Sequence, residues 1–378
     1  MKKLIILVTL VIAVLPAACS RQPKRIAIGI ALTVSYHPAV KLAIKEINAR
    51  GGIGGVPVEL RGMDWIVTSQ FEAQEILKHA SEFSEDKDLI AVIGHSDSAS
   101  TLSAAAFYNQ QRIPQIVTIA TNPAITNIGT WTYRLCLSDA AQGPALAEYA
   151  VNDWHKRRVA VFYVNDDYGR GVAELFEKRV DELGGQIVSS VMHRNLLTDD
   201  DRELIRATLA GFKQGQEPDL IVLFQRLDAA KWTLGTIRDL KLKSSILGGD
   251  SLSPADFSAA HPELTEGMRV SQFFVPDLND LRTRQFLKDF QELAGRAPDY
   301  GNAFAYDAVY LVCEAAAKGG ATRAGVKAYL DKLIQDQIPG HGVVGTFVMG
   351  SNHDAKRALH IVETRNGVQT FLKTLQIN

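Results

Sequence analysis

The fold is decided by one passage, AIKEINARGGIGGVPVEL, which occupies residues 43–60. Apolar residues spaced three and four apart run up to Ile47 and predict one face of an amphipathic helix. Pro38 suits the first turn of that helix, and Gly51-Gly52 ends it. Alternating apolar residues at Val56–Leu60 then predict a strand. The passage therefore supplies the helix and the second strand of a strand–helix–strand unit.

Short β-branched runs alternate with amphipathic segments from Arg25 onward. Strands are predicted at Ile26–Ile30, Leu89–Ile93, Ile116–Ile119, Val159–Val164, Ile187–Val191, Leu220–Phe224, Ser245–Leu247, Ala358–Val362 and Val368–Leu372. Helices are predicted after the capping-box spacing of Ser69 and Glu72, and at Pro144–Trp154, Val172–Leu183, Thr198–Phe212, Ala229–Leu240, Arg282–Leu293, Ala303–Ala317 and Thr322–Ile334. This order is typical of an α/β protein with mostly parallel sheets and helices on both faces.

Length and composition limit the class of protein. The chain has 378 residues, which predicts two domains at a usual domain size of roughly 100 to 200 residues. Lysine and arginine number 41 and aspartate and glutamate 42, so the net charge is -1. This balance excludes a nucleic-acid-binding polycation and a disordered acidic chain. With three cysteines in so long a chain, disulfides are not expected to hold the fold together.

The N-terminus has the composition of an export signal. Lys2-Lys3 precedes an apolar run at Leu4–Leu15 that is too short to span a bilayer, and small residues follow it. The segment resembles a bacterial lipoprotein signal, in which Cys19 would become the lipid-bearing N-terminus. An ordinary cleaved signal is the alternative. We therefore predict removal of residues 1–18 and export to the periplasm or cell envelope, with membrane contact only through a lipid on Cys19.

Polar side chains follow five of the predicted strands. They are Ser98, Thr121, Tyr168, Arg226 and Asp250. In open α/β sheets ligands bind outside the carboxyl ends of the strands. Hydroxyls, an aromatic ring and charges of both signs at this edge therefore predict a small-molecule site.

The hydroxyl and aromatic residues of this set each have a second interpretation. Ser98 and Thr121 could hold a carboxylate beside helix N-termini, or each could cap its own helix. Tyr168 could lie over a ligand, or it could be an ordinary residue of a polar turn.

The charged residues are ambiguous in the same way. Asp250 could pair with an ammonium group, or it could be a turn aspartate after two glycines. Arg226 could meet an acidic group of the ligand, or it could neutralise Asp250 or Asp228.

Catalytic and metal-binding signatures are absent from the sequence. It contains no His-Glu-x-x-His, Cys-x-x-Cys, Walker or Gly-x-Ser-x-Gly motif, and its nine histidines are dispersed. The glycines at 51–55 lack the preceding strand and the following Lys-Ser/Thr of a phosphate loop. We therefore predict a binding protein rather than an enzyme, with no metal, no cofactor and no nucleic-acid partner.

Further motifs occur in the order found in a known family. Besides residues 43–60, they are Val92-Ile93-Gly94, Ile113-Pro114-Gln115-Ile116, Tyr133-Arg134, Ser138-Asp139, Asp167-Tyr168-Gly169, Pro218-Asp219 and Ala305-Tyr306-Asp307-Ala308. In these motifs the chain resembles the type I periplasmic binding proteins that bind branched-chain amino acids. The resemblance covers nearly everything from Arg25 onward.

The resemblance implies an architecture of two Rossmann-like lobes with a hinge of three chain crossings, which closes on a ligand between the lobes. The N-terminal lobe is expected to comprise 24–139 with 271–346, and the C-terminal lobe 140–270 with 347–378. The crossings are expected near 138–140, 269–271 and 346–350.

The resemblance also implies how the amino-acid backbone of a ligand is held. Ser98 and Thr121 match family positions that grip the α-carboxylate, and Ile119 and Ala120 offer backbone groups beside them. Asp250 stands where an acidic residue holds the α-ammonium.

The opposite lobe and the side-chain half of the pocket involve two further residues. Tyr168 matches a tyrosine of the family that faces the ligand from the second lobe. Arg226 stands where amino-acid binders often place an aromatic residue. An amino acid with an acidic group, or a carboxylate that is not an amino acid, therefore fits better than leucine.

The function implied by the resemblance is capture of a small amino acid or related carboxylate by a monomer that delivers it to an ABC-type membrane permease. A different class is an envelope lipoprotein that uses the same fold as a sensor or interaction module for a partner protein. Polar residues at five strand ends favour ligand binding, because a degenerate cleft would not need them.

Overall fold

Parallel strands with intervening helices make up both halves of the chain. The structure, a computed structural model, describes residues 25–63 and 73–377. The predicted signal segment, Cys19 and the capping box of Ser69 and Glu72 lie outside the described residues. None of the helices within those two ranges is long and apolar enough to cross a bilayer.

The first sheet is parallel throughout. Its strands are β1 (Ile26–Ala31), β2 (Val58–Arg61), β3 (Leu89–Gly94), β4 (Gln115–Val117) and β5 (Thr132–Arg134), and the helices along this part of the chain are α1 (His37–Ala49), α2 (Ala73–Glu85), α3 (Ser98–Gln110) and α4 (Ala124–Asn127). The strand order is β2-β1-β3-β4-β5. Strands β1 and β3 are buried along their whole length, as expected where helices cover both faces of a parallel sheet.

The second sheet follows along the chain. Its first elements are α5 (Asp139–Glu148), β6 (Arg158–Val164), α6 (Asp167–Glu182), β7 (Gln186–His193), α7 (Asp199–Gln214), β8 (Leu220–Phe224), α8 (Leu227–Asp239), β9 (Ser245–Gly248), α9 (Ala255–Ala260), α10 (Pro262–Thr265) and β10 (Arg269–Gln272). The remaining elements of the chain are α11 (Leu281–Ala294), α12 (Tyr300–Gly319), α13 (Arg323–Gln335), β11 (Gly340–Gly342), β12 (Gly345–Met349), β13 (Ala355–Lys356), β14 (Leu359–Arg365) and β15 (Val368–Leu375). The strand order of this second sheet is β15-β14-β10-β9-β8-β6-β7, with β14 and β15 antiparallel at one edge.

Each sheet is the centre of a lobe, and the chain passes between the lobes more than once. Helices α12 and α13 pack on β3 of the first sheet, so they belong to the first lobe, whereas α5 packs on α6 in the second. The chain therefore crosses between β5 and α5, between β10 and α11, and through the small antiparallel sheet β11-β12-β13 between α13 and β14. The predicted lobe boundaries at 270/271 and 346/347 fall inside β10 and β12.

Two helices of the second lobe begin earlier than predicted because side chains cap them. Ser138 accepts the N–H of Ala140 at 3.2 Å and starts α5, so Pro144 lies inside that helix rather than at its start. Asp166 accepts two backbone N–H groups in the first turn of α6, at 2.8 and 3.0 Å. Tyr168 is therefore a residue of the first helical turn and not of a polar loop.

Candidate functional site

The carboxyl ends of parallel strands from the two lobes face one another. Asn122, which follows β4 in the first lobe, donates its side-chain N–H to the carbonyl of Asp167 in the second lobe at 2.6 Å. Tyr300, at the start of α12 in the first lobe, directs its hydroxyl to the carboxylate of Asp250 in the second lobe at 3.4 Å. Asp250 therefore lies where the lobes meet.

Ser98 lies on the first-lobe side of this junction, with its side chain buried. It is the first residue of α3, but the cap of that helix is Asp97, whose carboxylate accepts the N–H of Ser100 at 2.9 Å. The interpretation of Ser98 as a helix cap is therefore wrong. Its hydroxyl oxygen instead accepts the N–H of Asn122 at 3.3 Å.

Thr121 is also buried on the first-lobe side, and it does not begin a helix. The interpretations that depend on a helix start at Thr121 are wrong, because α4 begins three residues later at Ala124. The Thr121 hydroxyl donates to the carboxylate of Asp139 at 2.9 Å. This bond links the first lobe to the start of α5.

Ile119 and Ala120 lie beyond β4, although the sequence predicts that the strand reaches Ile119. The strand ends at Val117 because its partner strand ends opposite, at Arg134. Both residues are nevertheless buried. The contact of their backbone groups with a ligand carboxylate stays a prediction.

Asp250 is held by three neutral donors and is only 3% exposed. One carboxylate oxygen accepts the side-chain amide of Gln142 at 2.9 Å and the Tyr168 hydroxyl at 3.1 Å, and the other faces Tyr300. Burial raises the pKa of Asp250, while the bonds from Gln142 and Tyr168 oppose the rise. Among the described residues Asp250 forms no ion pair, so a ligand ammonium could supply its counter-charge.

Arg226 is paired with a carboxylate that the sequence did not single out. Its Nη2 donates to Asp166 at 2.8 Å, so neither Asp228 nor Asp250 is its direct partner. The guanidinium also lies over the Tyr168 ring, 4.7 Å from the centroid, which is the geometry of a cation–π contact. The side chain remains 32% exposed.

Tyr36 adds a third aromatic ring to the junction, beside those of Tyr168 and Tyr300. It follows β1 in the first lobe, and the absence of a side chain at Gly301 allows its ring to approach α12, since a Cβ there would lie 2.4 Å from the ring. Burial raises the pKa of the Tyr36 hydroxyl; the charge of Asp299 raises it further, and that of Arg296 opposes the rise. The charges of Asp250 and Arg226 act on it more weakly.

The sequence did not identify Gln142, Tyr300, Asp139 and Tyr36 as site residues. One signal for Tyr300 was present, because Asp299 and Asn302 form a capping box that starts α12 at Tyr300. Asp139 lies in the Ser138-Asp139 motif, which supports the family resemblance but indicated no role in the site. Tyr36 and Gln142 lie before a helix or within its first turns, and no motif in the sequence marks them.

A separate groove of about 610 Å³ lies between α7 and α8, with Arg206, Trp232 and Leu264 in its lining. Its described lining residues include no buried carboxylate, and Arg206 stacks on Trp232 at 5.6 Å. Binding sites usually combine an apolar wall with a few convergent polar groups. We therefore place the candidate site at the junction of the lobes and not in this groove.

Comparisons with known proteins agree on a family. The chain matches the periplasmic binding protein family over residues 31–369. Leu/Ile/Val-binding protein homolog 1 of Brucella abortus is 25% identical over 325 residues, which are 83% of this chain and 81% of that protein. The predicted resemblance to type I periplasmic binding proteins is confirmed.

Solved structures agree on the fold. A leucine-binding protein from Thermotoga maritima superposes with a TM-score of 0.81 at 23% identity and covers 93% of this chain and 99% of its own. A solute-binding protein of an ABC transporter from Rhodopseudomonas palustris, in complex with 3,4-dihydroxybenzoic acid, reaches 0.79 at 17% identity and covers 94% and 98%. The predicted fold of two Rossmann-like lobes is confirmed, and these neighbours are solute-binding proteins rather than enzymes.

Proposed function

Because the chain belongs to the periplasmic binding protein family, we propose that it captures a small amino acid or related carboxylate between its lobes and delivers it to an ABC-type membrane permease. The observation that carries this proposal is the carboxylate of Asp250, which is buried at the lobe junction with three neutral donors and no ion pair among the described residues. A buried charge of this kind is costly until an opposite charge neutralises it. The ammonium group of an amino acid would do so.

The remaining contacts of the proposed ligand follow from the same geometry. Ser98 and Thr121 place buried hydroxyls on the first-lobe side, and Ile119 and Ala120 add backbone groups for the carboxylate. The Thr121 hydroxyl, which donates to Asp139 in this structure, would turn to the ligand when it binds. Tyr168 and Arg226 face them from the second lobe. Because these groups belong to different lobes, hinge closure would complete the site and an open form would release the ligand.

We also propose a location and an oligomeric state for the protein. The protein acts as a monomer in the periplasm or cell envelope after removal of residues 1–18, with Cys19 as the lipid attachment site. The lobes comprise 24–139 with 271–346 and 140–270 with 347–378. Periplasmic location follows the family, and the lipid is our own inference from the sequence.

A thermal-shift screen tests ligand capture directly. A ligand that binds the native state at about 100 times its Kd adds about 2.7 kcal/mol to the free energy of unfolding and raises Tm. The panel consists of amino acids, dicarboxylates, aromatic acids and small amides. A rise in Tm with an amino acid or carboxylate, and none with the amides, supports the proposal. No rise with any compound would contradict it and favour the sensor or interaction module.

Arg226→Ala should shift ligand preference toward neutral side chains. A contact between the guanidinium and a second acidic group is worth about 1.5 to 3 kcal/mol, as hydrogen bonds to charged groups are. Calorimetry with L-glutamate and L-glutamine measures the change in preference, and an unaltered ranking of the two ligands would contradict the assignment.

Asp166→Asn is the matched control for Arg226. Asparagine caps a helix as well as aspartate does, so the start of α6 is preserved. The change removes the counter-charge of Arg226, 2.8 Å away. The ranking should therefore move in the opposite direction, toward the acidic ligand.

A further inference from the structure

Two buried carboxylates at the lobe junction share one neutral donor. The side-chain amide of Gln142 donates to Asp139 at 3.1 Å and to Asp250 at 2.9 Å. Its carbonyl oxygen accepts the Ser271 hydroxyl at 2.7 Å. The amide nitrogen faces both carboxylates and brings two acidic groups to the same point in the protein.

The surroundings of Asp139 supply little compensating charge. Its side chain is completely buried. The hydroxyl of Thr121, which follows β4, and the side-chain amide of Gln142 on α5 each donate a hydrogen bond to its carboxylate. The guanidinium of Arg134 acts on it only at a distance, since that group is bonded to Asp354. The nearby thiol of Cys136 is uncharged, because burial raises its pKa.

The surroundings of Asp250 are similar. Tyr168 from α6 and Tyr300 from α12 face it with neutral hydroxyls, and burial raises the pKa of both phenols. The Tyr36 phenol from the first lobe is neutral for the same reason. The charge of Arg226 also acts on Asp250, but that guanidinium is paired with Asp166.

Two carboxylates in such surroundings cannot both be ionised at low cost. Burial and then the charge of Asp250 raise the pKa of Asp139 to about 8. The pair titrates as a unit and retains one proton at neutral pH in the absence of a neighbouring cation. A cation placed beside Asp250 would offset the charge of Asp250, the second of these causes, and would lower the pKa of Asp139.

We propose that Asp139 is a positioning residue that makes the site selective for ligands with a protonated amine, because it releases its proton when an ammonium group binds beside Asp250. This inference rests on the proposed function and deepens it. The O–H bond of the Asp139 carboxyl group breaks and the proton passes to solvent, while the ligand amine remains protonated. Asp139 acts on the ligand through Gln142 and Asp250 and does not touch it. A ligand that has a carboxylate but no amine forms no ion pair with Asp250, and the negative charge of the Asp139–Asp250 pair repels it.

Calorimetry in two buffers of different ionisation enthalpy counts the protons released. The probes are L-leucine and L-glutamate, with 4-methylpentanoate and glutarate as amine-free counterparts. At pH 7 the amino acid should release close to one proton from the wild type and none from Asp139→Asn. Between pH 6 and 8 the wild-type affinity should rise by up to about tenfold per pH unit, whereas that of Asp139→Asn stays flat. Asp228→Asn, which removes an exposed carboxylate on α8, should behave as the wild type does.

The outcomes separate this inference from the proposed function. An amino acid that binds without proton release overturns the role of Asp139 and leaves the proposed function intact. Binding of glutarate or 4-methylpentanoate in preference to the amino acids also overturns the inference, while the protein remains a carboxylate binder. Binding of none of the four probes, together with no rise in Tm for any amino acid or carboxylate of the thermal-shift panel, would contradict both.

The Tm of the ligand-free protein at two pH values tests whether Asp139 keeps this proton. The pKa of Asp139 in the folded chain, about 8, exceeds its ordinary value of 3.8. A raised folded pKa means that the contribution to stability is complete at low pH and is lost as pH rises from about 4 to about 8. Asp139→Asn removes this loss, so its Tm should exceed that of the wild type at pH 7 and match it near pH 4. If the Tm of Asp139→Asn differed from that of the wild type by the same amount at pH 4 and at pH 7, the inference would be overturned.

Discussion

Asp250→Ala is expected to weaken amino-acid binding by about 2 to 5 kcal/mol, which is roughly 30-fold to 4,000-fold in Kd. The ammonium group of the ligand would lose its counter-charge in a site that is closed to water. Gln142, Tyr168 and Tyr300 would at the same time lose the acceptor that they share. The loss of the counter-charge acts on the bound state alone, so the weaker binding should appear mainly as faster dissociation. Calorimetry with the amino acid that gives the largest thermal shift measures the change in Kd.

Two further variants separate charge from shape at this position. Asp250→Asn preserves the volume and one acceptor oxygen but removes the charge, so most of the affinity should still be lost. Asp228→Ala removes an exposed carboxylate of α8 that is near in sequence, and it should leave Kd unchanged. If Asp250→Ala bound the cognate amino acid as tightly as the wild type does, the assignment of Asp250 would be wrong.

The order of elements could be predicted from local patterns, whereas their exact ends could not. Runs such as Leu220–Phe224 are bounded by polar residues on both sides, and the predicted strand coincides with β8. The start of α5 was missed because proline favours a first helical turn, yet Ser138 provides a cap several residues earlier. The end of β4 depended on where its neighbour β5 ends, which local pattern does not reveal.

Polar residues at the ends of strands could be predicted one by one, but neither their partners nor the site residues elsewhere could. Arg226 follows β8 and Asp166 follows β6, and the two meet because those strands are neighbours in the sheet. The order of strands across a sheet is not the order along the chain, so this pair is not visible in the sequence. Gln142 and Tyr300 reach Asp250 across 108 and 50 residues of sequence. Tyr300 belongs to the first lobe, so its contact also depends on the crossing of the chain between β10 and α11.

Arg134→Met is expected to cost about 3 to 5 kcal/mol of unfolding free energy, the range found when one partner of a buried ion pair is removed. The Arg134 side chain is completely buried, and its Nε lies 2.8 Å from Asp354 between β13 and the preceding turn. Its Nη1 donates to the carbonyl of Asn122 at 2.7 Å, beside Thr121. Arg134 therefore joins the last strand of the first sheet, the first-lobe side of the site and the third chain crossing. Methionine is apolar and unbranched, so it can occupy much of the vacated volume but can neutralise nothing.

The double variant Arg134→Met/Asp354→Asn distinguishes charge from packing. If the cost arises from leaving Asp354 uncompensated, removing its charge should return part of the lost stability, and the two single changes should add to more than the double change. Arg202→Met is the control, because Arg202 pairs with Asp199 at an exposed position on α7 and surface pairs contribute little. Urea denaturation measures the wild type, the two single variants, the double variant and Arg202→Met. Ligand affinity measured on the folded Arg134→Met protein should also be reduced, because the carbonyl of Asn122 loses its donor. Equal effects of Arg134→Met and Arg202→Met would show that the buried pair does not hold the first lobe to the third crossing.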